Sequence, residues 1–169
     1  MKGLSMEAGQ EAGERIAARA AGEQLLAGHR ELRAQLAGIR AALADGGASP
    51  PDPRAARASL ALPDQLRLRC LTYCAGLHHH HSKENGAFAV FERRFPELAP
   101  VIERLRAEHQ RVYAALDRLT ALLESEEGGD LPRVREELER TVDGLEAHFA
   151  YEEEHLLPTL GVPRPATPR

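Results

Sequence analysis

Two short stretches of the chain repeat one pattern, a histidine followed four residues later by a glutamate. It occurs as His80 and Glu84 within His78-His79-His80-His81-Ser82-Lys83-Glu84. It returns as His148 and Glu152 within His148-Phe149-Ala150-Tyr151-Glu152-Glu153-Glu154-His155-Leu156-Leu157-Pro158. On a helix, residues four apart stand one turn above each other, so each pair presents an imidazole and a carboxylate on one face. That donor mixture suits iron, manganese or zinc. A single such pair carries little weight in a chain that is 28% charged with 8 histidines; the second copy changes that. Neighbouring residues compete for the same roles. His81 lies three residues before Glu84 and is the rival of His80, either as ligand or as a group behind the ligands. His155 follows Glu152 by a Glu-x-x-His step, which sets both on one helix face, and is either a ligand, a support or solvent-exposed. Glu153 and Glu154 read as solvated helix-end charges.

The elements that must position these residues are helices. The chain has 169 residues, about one domain, with 4% aromatics and no tryptophan. Its wealth of alanine, leucine, arginine and glutamate suits helices far better than a sandwich or barrel. Residues 1–22 lack a clean apolar stripe and read as an N-terminal arm or short outer helix. From Leu25 the stripe Leu25, His29, Leu32, Leu36, Ile39, Leu43 steps by four and three. Asp45-Gly46-Gly47 ends that helix, and Ala55 to Leu62 reads as a connector, with room for one helical turn. A second helix starts near Pro63-Asp64, with Leu66, Cys70, Tyr73, Leu77, His80, Glu84, Phe88 and Phe91 inward, and ends before Pro96. The third carries Leu98, Ile102, Leu105, His109, Val112, Leu116, Leu119 and Leu123, and Gly128-Gly129-Asp130 turns the chain. The fourth carries Leu131, Val134, Leu138, Val142, Leu145, His148 and Glu152, and closes at Pro158. Residues 23–160 are therefore expected to form an all-α, antiparallel up-down four-helix bundle, with 161–169 a disordered proline-rich tail.

Each of the four stripes contains a histidine where leucine is usual: His29, His80, His109 and His148. Two stripes add a glutamate one turn on. Burying two ionised carboxylates unpaired costs several kcal/mol each, more than a marginally stable domain absorbs. Two metal ions between the helices would satisfy the whole set. In an up-down bundle the start of one helix meets the end of the next, so all four histidines can share one layer.

In this order of residues the chain resembles the hemerythrin-like (HHE cation-binding) proteins: a lone His, then His-x-x-x-Glu, then His, then His-x-x-x-Glu or a close variant. The resemblance covers Leu25 to Pro158, and His148 to Pro158 is close to the family's usual fourth-helix wording. It implies that His29, His80, Glu84, His109, His148 and Glu152 ligate a non-haem di-iron site, bridged by an oxo or hydroxo group and by Glu84 and Glu152. Two departures stand out. Oxygen-carrying hemerythrins have a second histidine one turn after the third-helix ligand, where this chain has Tyr113. They use a fourth-helix aspartate at a five-residue step, where this chain has Glu152 at four. The expected site is thus poorer in nitrogen than a carrier's, with Tyr113 as ligand, hydrogen-bond donor or packing residue.

The resemblance implies a protein that binds and activates O2 or peroxide, or meets nitric oxide, for oxidation of a small molecule. The rival readings are a non-catalytic oxygen, iron or redox sensor, an O2 store, or a plain metal-binding bundle, and the choice among iron, manganese and zinc stays open. A formal charge of −4 and pI near 6.1 argue against a nucleic-acid partner. No apolar run suggests a membrane span or signal peptide, so a cytoplasmic monomer or weak homodimer is expected. Cys70 and Cys74 lack the spacing of a redox or zinc motif and read as small apolar residues.

Overall fold

In the computed structural model of the chain, residues 3–45, 62–125 and 130–163 are described, with side chains from residue 9 onward. Four long helices follow one another: α1 (Gly3–Asp45), α2 (Asp64–Arg94), α3 (Ala99–Glu124) and α4 (Leu131–His155). A single 3-10 turn, Pro96–Leu98, joins α2 to α3. Each helix packs on the next and α4 returns to α1, closing the ring of a hemerythrin-like four-helix bundle. Among the described residues, no helix is long and apolar enough to cross a membrane.

Local chemistry explains the boundaries. Asp64 in the first turn of α2 and Arg93 and Arg94 in its last turn match the helix dipole. Phe95 is forced out of the helical region (φ −131°, ψ 74°) because Pro96 follows it. Pro100 and Pro132 sit in first turns, where no amide donor is lost.

The first helix departs from expectation. Instead of an arm followed by a helix from Leu25, α1 runs unbroken from Gly3 for 43 residues. At about 1.5 Å per residue it is about 64 Å long, well beyond its partners. Among the described side chains of its first half, Ala18 and Leu25 pack against the smaller apolar cluster, too few for a full stripe. Helix propensity and the ion pairs Arg19–Glu23 and Arg94–Glu14 carry the remainder. The chain after α4 is also partly packed: Val162 is buried and its amide donates to the Leu157 carbonyl (2.9 Å), with Gly161 at φ 75° making the turn. The expected connector at Ala55 to Leu62, save Leu62 itself, and the expected tail from 164 on lie outside the described residues. Leu62 is buried.

Two apolar clusters fill the interior. The larger holds Leu32 to Leu43 of α1, Leu66 to Leu77 of α2, Val112 to Leu123 of α3 and Leu131 to Phe149 of α4. The smaller holds Phe88, Leu98, Ile102, Leu105, Leu156 and Leu160. Cys70 and Cys74 are buried free thiols in the larger cluster, and burial pushes the Cys70 thiol up to about 11. The polar residues singled out in sequence lie in the layer between the clusters.

Candidate metal centre

That layer interrupts each stripe at the same height. His29 stands between Leu25 and Leu32, His109 between Leu105 and Val112, and His148 and Glu152 between Leu145 and Leu156. On α2 the layer holds His80, His81 and Glu84, between Leu77 and Phe88. His29, His81, His109 and Glu152 are completely buried, His148 and Glu84 nearly so, and His80 is 17% exposed.

The donor atoms form two groups, each with atoms within 4.8 Å of one another: His29, His80, Glu84 and Glu152, and His81, Glu84, His109 and His148. Glu84 belongs to both. Its Oε1 is 2.7 Å from His80 Nε2 and 3.8 Å from His29 Nε2, and its Oε2 is 3.5 Å from His109 Nε2. Glu152 spans the groups as well, with Oε2 3.1 Å from His29 Nε2 and 3.7 Å from His148 Nε2, and Oε1 3.6 Å from His109 Nε2.

Close as they are, these atoms do not hydrogen-bond. Ten buried side-chain atoms of His29, His80, His81, Glu84, His109, His148 and Glu152 have no hydrogen-bond partner. Native proteins leave few buried polar atoms unpaired, and ten in one layer call for a missing cationic partner. Lone pairs converging on two common points are what a pair of metal ions requires. The donor set therefore fits two cations, with Glu84 and Glu152 facing both.

The charges of the protein alone are under tension. Burial opposes a charge on His29, but the carboxylates of Glu152 and Glu153 outweigh it and raise the imidazole to about 9. Burial and the charge of Glu152 push Glu84 well above the ordinary carboxylate range. Glu152 is driven the other way: its burial is overcome by His109, His29 and His148. Burial lowers His80 to about 4, with His29 and Lys83 adding to the effect; burial, then His109 and His148, lower His81 further.

Behind the donors lies a set of supports that sequence reasoning missed. His29 Nδ1–H donates to Glu153 Oε1 (2.9 Å), which also accepts from Arg33 Nη1 (2.6 Å). His109 Nδ1–H donates to Asn85 Oδ1 (2.9 Å), and His148 Nδ1–H to Glu108 Oε2 (3.0 Å), itself paired with Arg104. Each bond fixes the tautomer that leaves Nε2 free to point inward. Glu153 is thus no solvated helix-end charge. The signal was present: Glu153 follows Glu152 and so stands on its α1 side. The ring of Phe149 stacks on His29 with centroids 4.1 Å apart, and Phe88 covers His109 at 5.5 Å.

The structure brings all six expected candidate residues together and places His81 among them. His80 and His81 are not alternatives. Adjacent helical residues diverge by about 100°, which turns His80 towards His29 of α1 and His81 towards α3 and α4. His81 stacks on His109 with centroids 4.4 Å apart, inside the second donor group. The layer therefore holds five imidazoles, one more than the sequence reading counted, because His81 joins the four expected histidines. Tyr113 lies beside the second group, its ring centroid 6.2 Å from that of His81 and 6.3 Å from that of His109. Its hydroxyl accepts from Asn85 Nδ2 (3.2 Å) and lies 3.4 Å from Ser82 Oγ, so it steadies the amide that holds His109. His155 lies outside both groups, its Nδ1–H donating to the Tyr151 carbonyl (2.8 Å).

The Hemerythrin HHE cation binding domain model matches residues 21–160, which include every donor. No curated protein and no solved structure matches the chain. By the extent of that match, the chain belongs to the hemerythrin HHE cation-binding family.

Proposed function

We propose that the chain holds two metal ions, iron by preference, and uses them to bind and activate O2 or peroxide. One observation carries the reading: seven residues with unpartnered buried donor atoms converge as two donor groups that share Glu84. Nitrogen and carboxylate donors in this ratio suit iron. Iron held there would supply electrons to O2 or peroxide. The chain's own residues do the remaining work. Glu153, Asn85 and Glu108 keep three imidazoles in the Nε2-inward tautomer. The two apolar clusters keep bulk water from both ends of the layer. The His29–His80 side has two imidazoles against three on the other, so it has more room for an exchangeable ligand.

A second reading, a non-catalytic O2 store or sensor, gains from the fifth imidazole, because a nitrogen-rich donor set favours holding O2 over consuming it. Protein produced with ample iron is expected to contain about two iron ions per chain; one or none would sink the proposal. An oxygen electrode separates the two readings. Reduced, iron-loaded protein that takes up O2 and does not return it on argon sparging supports activation, whereas full recovery of O2 identifies a store. His81→Ala and His80→Ala are each expected to weaken metal retention, in different donor groups.

A further inference from the structure

The metal layer opens to the outside through a cleft of about 570 Å³ between α1 and α2. This lies within the roughly 300–1,000 Å³ typical of small-molecule sites. The cleft follows α2 from His80 to Phe91, about 16 Å at 1.5 Å per residue. Its character changes along that length. At one end stand His80, Glu84 and Lys83; at the other, Phe88, Phe91, Leu156 and Leu160. Gly28 makes the polar end accessible: a Cβ there would lie 3.0 Å from His80 Cε1. Lys83 is exposed and has no carboxylate partner among the described residues. Glu84 does not offset it in the cleft, because its oxygens are turned into the imidazole layer.

We infer that this cleft binds a small amphipathic carboxylate, its head beside Lys83 at the metal layer and its hydrocarbon tail along Phe88, Phe91 and Leu160. Charge complementarity selects the head: the one uncompensated charge in the lining is positive. The apolar far end selects the tail, since burying hydrocarbon there stabilises the complex in proportion to the area removed from water. An inorganic anion alone would leave most of the cleft unfilled. The site places the carboxylate end of such a molecule next to the more open donor group. Binding needs no metal, so it stands or falls apart from the redox chemistry.

Calorimetric titration of the full chain, with and without iron, tests this using decanoate, decanol and decyltrimethylammonium. Decanoate is expected to bind one-to-one and about fivefold more tightly than decanol, as suits an exposed ion pair. Lys83→Gln should bring decanoate down to the affinity of decanol and leave decanol unchanged. Ala87→Phe, which fills the cleft from α2, should stop both, and Ala21→Phe does the same from α1 should the first variant fold poorly. An unchanged decanoate affinity in Lys83→Gln would overturn the inference. So would decyltrimethylammonium binding as tightly as decanoate, which would mean that the cleft takes any hydrocarbon.

Discussion

Individual side chains in the layer set how metal uptake answers to pH. In the metal-free protein His29 titrates at about 9, and burial beside Glu152 pushes Glu84 well above the usual carboxylate range, so both hold their protons more firmly than usual. A cation needs their lone pairs, and uptake must expel those protons. Proton release measured with an indicator dye is expected at pH 7.5, and should fall as pH rises through 9. Release that does not change between those pH values would contradict this. The same shifts fix the stability of the metal-free form. The raised His29 contributes stability that is fully present below its unfolded value of 6.5 and lost as pH rises through 9. The raised Glu84 acts in the same direction from 4.5 upward. Towards acid, His80 and His81 are held neutral by burial, so stability is lost as pH falls below 6.5. Denaturant melts of the metal-free protein should therefore peak near neutrality and decline on both sides.

At the scale of helices, much was legible and the failures have physical causes. The stripes on α3 and α4 are regular because both helices bury one face along their whole length. The register of α2 was half read. The spacing to Glu84 selects His80, but a helix that passes through the middle of a metal layer can present two adjacent residues to two sides of it. Periodicity, which assumes one inward direction, cannot express that. Asn85 and Glu108 escaped notice because their role depends on which helix lies behind them, information that no spacing within one segment contains. The long first half of α1 was missed because its partners are the smaller cluster, Arg94 of α2 and the chain after α4, not a full core. Gly22 shows this dependence: a Cβ there would lie 2.7 Å from Val162 Cγ2 and 3.1 Å from Leu160 Cβ. Gly22→Val is expected to destabilise the protein by about 1–3 kcal/mol, as overpacking does. Gly9→Val, where a Cβ meets nothing within 4 Å, should change stability by no more than about 0.5 kcal/mol. Equal losses in chemical denaturation would show that the segment after α4 does not pack on α1.

For the whole molecule, every helix contributes at least one donor to a single layer, so that layer joins all four of them. Glu84 gives this arrangement a further property, because one carboxylate serves both donor groups. In the proposed two-ion site, the first ion to arrive must hold Glu84 in its ionised form and fix its orientation, and fix that of Glu152 between the groups. A second ion then meets two anionic oxygens already ionised and already aimed. Loading should therefore be cooperative, with half-filled chains scarce. Native mass spectrometry at sub-stoichiometric iron is expected to show mainly empty and doubly loaded protein. Glu84→Gln, which cannot ionise, should replace that pattern with a graded series in which singly loaded chains dominate. A protein that fills in this all-or-none manner divides scarce iron unequally among its copies, leaving some complete and the rest empty.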